Sequence, residues 1–142
     1  MIIQDQVISP WVERFSKEIP KDCGPVLDLA CGSGRHARFL RQQGFQAIAI
    51  DRDDSAFAGL SSQGVWCVNC DLETSDSGYV WPISERSFAA VIVTNYLHRP
   101  LMTSILSSLV VGGVLIYETF AVGNEAYGRP RNPQFLLREN EL

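Results

Sequence analysis

The stretch Val26-Leu27-Asp28-Leu29-Ala30-Cys31-Gly32-Ser33-Gly34-Arg35 constrains the fold more than any other part of the chain. An apolar run carrying one acid breaks into two glycines and continues into a helix-like segment, which predicts a strand, a tight loop and a helix over about Arg35 to Gln43. Glycine has no Cβ, so Gly32 and Gly34 let the backbone turn sharply and approach a ligand. The helix then aims its unpaired first-turn N–H groups at the same place, which favours an anion there.

Further apolar runs follow, each ending in a polar residue. Ala47-Ile48-Ala49-Ile50 ends in Asp51, 23 residues beyond Asp28, and Val65-Trp66-Cys67-Val68-Asn69-Cys70 ends in Asp71. An acid at about that first separation suits the hydroxyls of a ribose. Phe88 to Asn95 and Val114 to Tyr117 read as a fourth and a fifth strand, with Glu118 at the end of the fifth. Between the strands lie helix signals. Ser9 caps a helix that opens on Pro10, with Trp11, Val12 and Phe15 on its apolar face. Ala37 and Leu40 lead to a stop at Gly44-Phe45, and Asp53 or Asp54 caps a short helix carrying Phe57 and Leu60 and ending at Gly64. Leu101, Ile105, Leu106 and Leu109 have helical spacing, with Gly112-Gly113 as the stop. Glu73 to Ser87 shows no period and reads as a long connection with Val80 and Trp81 turned inward.

In this order the elements resemble those of class I S-adenosylmethionine-dependent methyltransferases, over roughly residues 10 to 120. They are similar in particular to the small bacterial tellurite-resistance and thiopurine types. The resemblance implies one α/β domain over residues 1–142, with a doubly wound, mainly parallel Rossmann-like sheet of order 3-2-1-4-5 and a ligand at the switch between strands 1 and 4. It implies S-adenosylmethionine as cofactor and methyl transfer to a small-molecule acceptor by in-line displacement. In that reading Asp28 meets the ammonium of the cofactor beside Ala30, Gly32 and Gly34. Asp51, with Arg52 next to it, holds the ribose; Asp71 and the backbone of Leu72 read the adenine edge; Asn95 and Tyr96 line the methionine side. His98, in the loop after strand 4, and Glu118 are the candidates for a base. Arg129 and Arg131 lie in a segment resembling an acceptor-side loop.

Gly32-Ser33-Gly34-Arg35-His36-Ala37 also fits the G-x-G-x-x-A pattern of nicotinamide dinucleotide sites. Asp28 argues against that rival, because a carboxylate beside the loop opposes a pyrophosphate and attracts an ammonium. A cofactor-binding but idle module is the other alternative. The net charge of −4 gives no basis for nucleic-acid binding, and no apolar run is long enough to span a bilayer. Without a secretory signal at Met1 to Asp5, the cytoplasm is the expected location. Cys67 and Cys70 fall on opposite faces of a strand and cannot share a metal ion, so no metal site is expected. The four cysteines read as structural thiols, with Cys31 the alternative as a reactive one.

One departure from the family is large, since its sheet has two further strands after the fifth and this sequence stops too soon to supply them. The expectation is a fragment or early stop, or else an edge on strand 5 that the tail or another copy covers, with self-association through strand 5 as the consequence. Ala89 stands where the family often has Asp, at the end of strand 4 away from the ligand.

Overall fold

A computed structural model describes residues 6–74 and 78–142. Five strands, β1 (Val26–Leu29), β2 (Ala47–Asp51), β3 (Trp66–Asn69), β4 (Phe88–Thr94) and β5 (Leu109–Glu118), form one parallel sheet in the order β3-β2-β1-β4-β5. The helices are α1 (Pro10–Phe15), α2 (Arg35–Gln42), α3 (Phe57–Ser62) and α4 (Met102–Ser107). This is the expected doubly wound arrangement.

Period-two alternation divides the core between the two faces of the sheet. Val26, Ala49 and Ile92 pack with Ala37 and Leu40 of α2 and Leu60 of α3 on one side. Leu27, Leu29, Ile50 and Val93 pack with Leu101 and Ile105 of the α4 region on the other. Cys67 joins the first layer and Cys70 the second, as their spacing in a strand requires.

Ser9 caps α1 as expected, its hydroxyl accepting from the N–H groups of Trp11 and Val12 at 3.2 and 3.3 Å. Two local expectations need correction. Neither Asp53 nor Asp54 caps α3, whose N-cap is Ala56; Asp53 accepts from the Ser55 N–H and closes a tight turn instead. Leu109 belongs to β5 and not to α4, and Gly112-Gly113 lies within that strand. There the pairing jumps from Phe88 with Leu109 to Ala90 with Val114, so β5 bulges outward between them. A Cβ at Gly113 would stand 2.9 Å from the Val110 carbonyl oxygen, which is why the bulge needs glycine. The tail folds back after β5: the N–H of Val122 donates to the Leu137 carbonyl and that of Leu137 to the Phe120 carbonyl, both at 2.9 Å.

Trp81 and Ile83 of the long connection pack against the second core layer. Residues 75–77 of that connection, and the first five residues read for a signal, lie outside the described residues.

Candidate functional site

A cleft of about 520 Å³ opens at the carboxyl ends of the strands, a size usual for a small-molecule site. The chain following β1 contributes Ala30, that at and after β2 Asp51 and Arg52, that after β3 Asp71 and Leu72, and that after β4 Asn95 and Tyr96. Seven of the ten residues expected to contact a cofactor therefore line one space. The crossovers from β1 and β4 leave in opposite directions, and this parts the loops where the sheet order reverses. Both residues at that point, Ala30 and Asn95, hold the left-handed conformation, with φ of +53° and +56°. A side chain is strained there, and such strain collects at ligand sites. Their conformation is not legible in residue types.

Asp28, Gly32 and Gly34 are not in the cleft wall. The Asp28 carboxylate, almost fully buried on β1, accepts from the N–H of Ala37 at 2.9 Å. Ala37 is in the first turn of α2, whose N-cap, Gly34, has no side chain to offer. The acid of the neighbouring strand thus supplies the missing cap. Asp51 does the same for the loop: one carboxylate oxygen accepts from the Gly32 N–H at 2.8 Å and the other from the Asp53 N–H at 2.9 Å. The anion expected at the glycine loop is therefore provided by the chain itself. A Cβ at Gly34 would lie 2.4 Å from a Leu60 methyl, so α3 packs directly against the loop.

Burial pushes the Asp28 carboxyl up to about 7. The same loss of water acts on His36 in the opposite sense, lowering it to about 4. His36 is a buried tie: Nε2 accepts from the Ser9 N–H at 3.1 Å and Nδ1 lies 3.4 Å from the Thr94 hydroxyl, joining α1, α2 and the end of β4. Burial also raises the Cys31 thiol, against a reactive thiolate there. Trp11 packs against Phe15, with the rings tilted by 59° and their centroids 4.4 Å apart, and is not in the cleft wall.

Glu73 was missed because nothing in its residue type separates it from other surface acids. It lines the cleft, accepts from the Tyr96 hydroxyl at 3.1 Å and lies 3.3 Å from His98 Nδ1. His98 Nε2 is 2.6 Å from the Gly78 carbonyl oxygen, so both ring nitrogens are engaged behind the wall. Glu118 ends β5 next to Thr119 and Phe120, which do line the cleft. Pro130 and Phe135 complete the wall from the tail, whereas Arg129 and Arg131 are exposed. Among the described residues no three His, Cys, Asp or Glu side chains gather as metal ligands.

Residues 26–111 match the model of a methyltransferase domain family. The chain belongs to this family. Among solved structures it is similar to the PH0226 protein of Pyrococcus horikoshii OT3, at 22% identity and TM-score 0.59 over 74% of this chain and 50% of that one. It is also similar to the glycopeptide N-methyltransferase MtfA in complex with S-adenosyl-L-methionine, at 22% identity and TM-score 0.57, covering 73% and 50% of the two chains. A TehB-like methyltransferase of Corynebacterium glutamicum gives 21% and 0.57, covering 74% and 59%. The chain thus spans about half the length of the first of these structures. A search of curated proteins finds no match.

Proposed function

We propose that this methyltransferase-family domain binds S-adenosylmethionine in the cleft and transfers its methyl group to a small-molecule acceptor. The observation that carries the reading is the pair of carboxylates at the glycine loop. Asp51 occupies the Gly32 N–H and Asp28 the Ala37 N–H, so the groups that would greet a pyrophosphate are already taken by acids of the chain itself. A cofactor bearing an ammonium and a sulfonium suits such a loop, and a dinucleotide does not.

The donor set fits the rest of the cofactor. Each Asp51 oxygen accepts one backbone N–H and keeps a lone pair for a ribose hydroxyl. Asp71 and Leu72 stand further along the same wall, where the resemblance sets the adenine, and Ala30 and Asn95 bring bare backbone to the centre. The cofactor supplies an already activated methyl group, so the chain's work is to hold the acceptor in line and exclude water. Where the acceptor must lose a proton, Glu73 is the wall carboxylate on the Tyr96 side, and His98 and Tyr96 hold it in place. Glu118 is the alternative base, one residue from the lining.

Asp51, Asp71 and Glu73 outnumber the lone Arg52 among charged lining residues, which supports a small acceptor over a nucleic acid. The free state of Cys23, Cys31, Cys67 and Cys70 supports a reducing, cytoplasmic setting. In the same reading β5 self-associates, since among the described residues it pairs with β4 alone.

Isothermal titration with S-adenosylhomocysteine and with NAD tests the central claim. The first is expected to bind and the second not. Asp51→Ala is expected to weaken binding by about 1–3 kcal/mol for each hydroxyl left unpaired. Tighter binding of NAD than of S-adenosylhomocysteine would overturn the reading.

A further inference from the structure

Residues 121–142 form a strap across the carboxyl edge of the sheet, fixed at two places. At one, the paired backbone of Phe120, Val122 and Leu137 closes the loop, and Leu136 beside it is almost fully buried. At the other, Arg99 holds the strap from the loop that follows β4. Its guanidinium donates to the carbonyls of Gln134 and Leu136 at 2.9 and 2.8 Å and to both oxygens of Glu141, one of them at 2.8 Å. That is the full fork geometry of an arginine clamp, which a lysine does not reproduce. These bonds hold the Glu141 carboxyl down at about 2.

Arg99 follows closely on Tyr96 and Leu97, which line the cleft, and the strap it grips carries Pro130 and Phe135 into the same wall. With Phe120 these residues make the β4–β5 side of the cleft largely apolar and aromatic, with Glu73, held by the Tyr96 hydroxyl, as its one charged group, while Asp51, Arg52 and Asp71 make the β2–β3 side polar. The strap's own cations, Arg129, Arg131 and Arg138, are exposed and do not line it.

We propose that the strap forms the wall of an acceptor subsite for a flat, uncharged, largely apolar molecule, and that Arg99 is the positioning residue that sets this wall. The inference rests on the methyltransferase reading for the word acceptor, but the subsite is testable separately. Arg99 touches no ligand; it acts through Phe135 and Pro130.

The test uses the full chain loaded with S-adenosylhomocysteine and follows amide NMR shifts of Thr119, Phe120 and Phe135 while 4-methylphenol, or benzoate as the anionic control, is added. Wild type is expected to bind 4-methylphenol and to bind benzoate at least about ten-fold more weakly. Arg99→Met and Glu141→Gln are expected to weaken 4-methylphenol by about ten-fold or more while leaving S-adenosylhomocysteine affinity within about two-fold, since only preorganisation of the wall is lost. Arg99→Lys should recover part of the loss, and Phe135→Ala should remove the contact itself. Should Arg99→Met not fold, Glu141→Gln and Phe135→Ala decide, because both keep the two carbonyl bonds of Arg99. Unchanged 4-methylphenol binding in these variants, equal loss of both ligands, or no binding by the loaded wild type would overturn the proposal. Failure of wild type to bind S-adenosylhomocysteine sinks the methyltransferase reading instead, and 4-methylphenol added to the free chain then tests the subsite alone.

Discussion

At the residue scale, the buried pair Asp28 and His36 couples the glycine loop to pH in two opposed senses. Asp28 rises from 3.8 to about 7 through burial, so the folded chain holds its proton more tightly than the unfolded one. Its contribution to stability is present below about pH 3.8 and is lost as pH rises through 7. His36 falls from 6.5 to about 4, again through burial, so its contribution is present above 6.5 and lost as pH falls through 4. Over the shared window the two slopes cancel. Asp28→Asn keeps an acceptor for the Ala37 N–H and removes one slope. Urea unfolding of the variant is expected to show about 2 kcal/mol of stability lost between pH 6.5 and 5, with wild type nearly flat. Parallel curves for the two proteins would mean that Asp28 is ionised throughout.

At the element scale, the loop between β1 and α2 is seated on α3, and Gly34 is where they touch. Gly34 has φ of +76° and stands where a Cβ would press on the buried Leu60 side chain; Gly44, at +96°, has open space around it. Gly44→Ala therefore measures the left-handed penalty alone, about 1–2 kcal/mol, whereas Gly34→Ala adds overpacking of about 1–3 kcal/mol. In a Leu60→Ala background the extra cost of Gly34→Ala should largely vanish, because the new methyl enters the space the leucine leaves. Chemical denaturation of the wild type, the three single variants and the double variant checks this. Equal costs at the two glycines would show that α3 is not fixed against the loop.

At the scale of the whole molecule, β5 is an edge of the sheet among the described residues. Val111 on β5 and Leu106 on α4 are largely exposed, and Trp11, Met102, Leu115 and Tyr117 surround an apolar groove beside them. The folded tail reaches this groove only through Glu141 and Leu142. An apolar strand edge with unpaired N–H and C=O groups invites pairing with a second copy. Light scattering after size exclusion is expected to show association that declines on dilution, and Val111→Lys on the exposed bulge is expected to reduce it. A monomer at all concentrations would mean that the tail shields the edge sufficiently.

Residue order alone carried the sheet: apolar runs of strand length alternating with helical segments permit a parallel, doubly wound arrangement, and each of the five strands overlaps one of those runs, though β5 begins earlier, at Leu109. The acids at the strand ends were legible for the same reason, since a strand fixes where its last residue emerges, and Asp51 and Asp71 both reach the cleft. Sequence could not say which partner each polar group would take. The glycine loop announced an anion, and only packing showed that Asp28 and Asp51 already fill that role. Nor did spacing bring Glu73 beside Tyr96 and His98, or Arg99 beside Gln134, Leu136 and Glu141. Such contacts join residues 23 to 42 positions apart through loops that lack any period, so they exist only once the sheet has placed the loop ends.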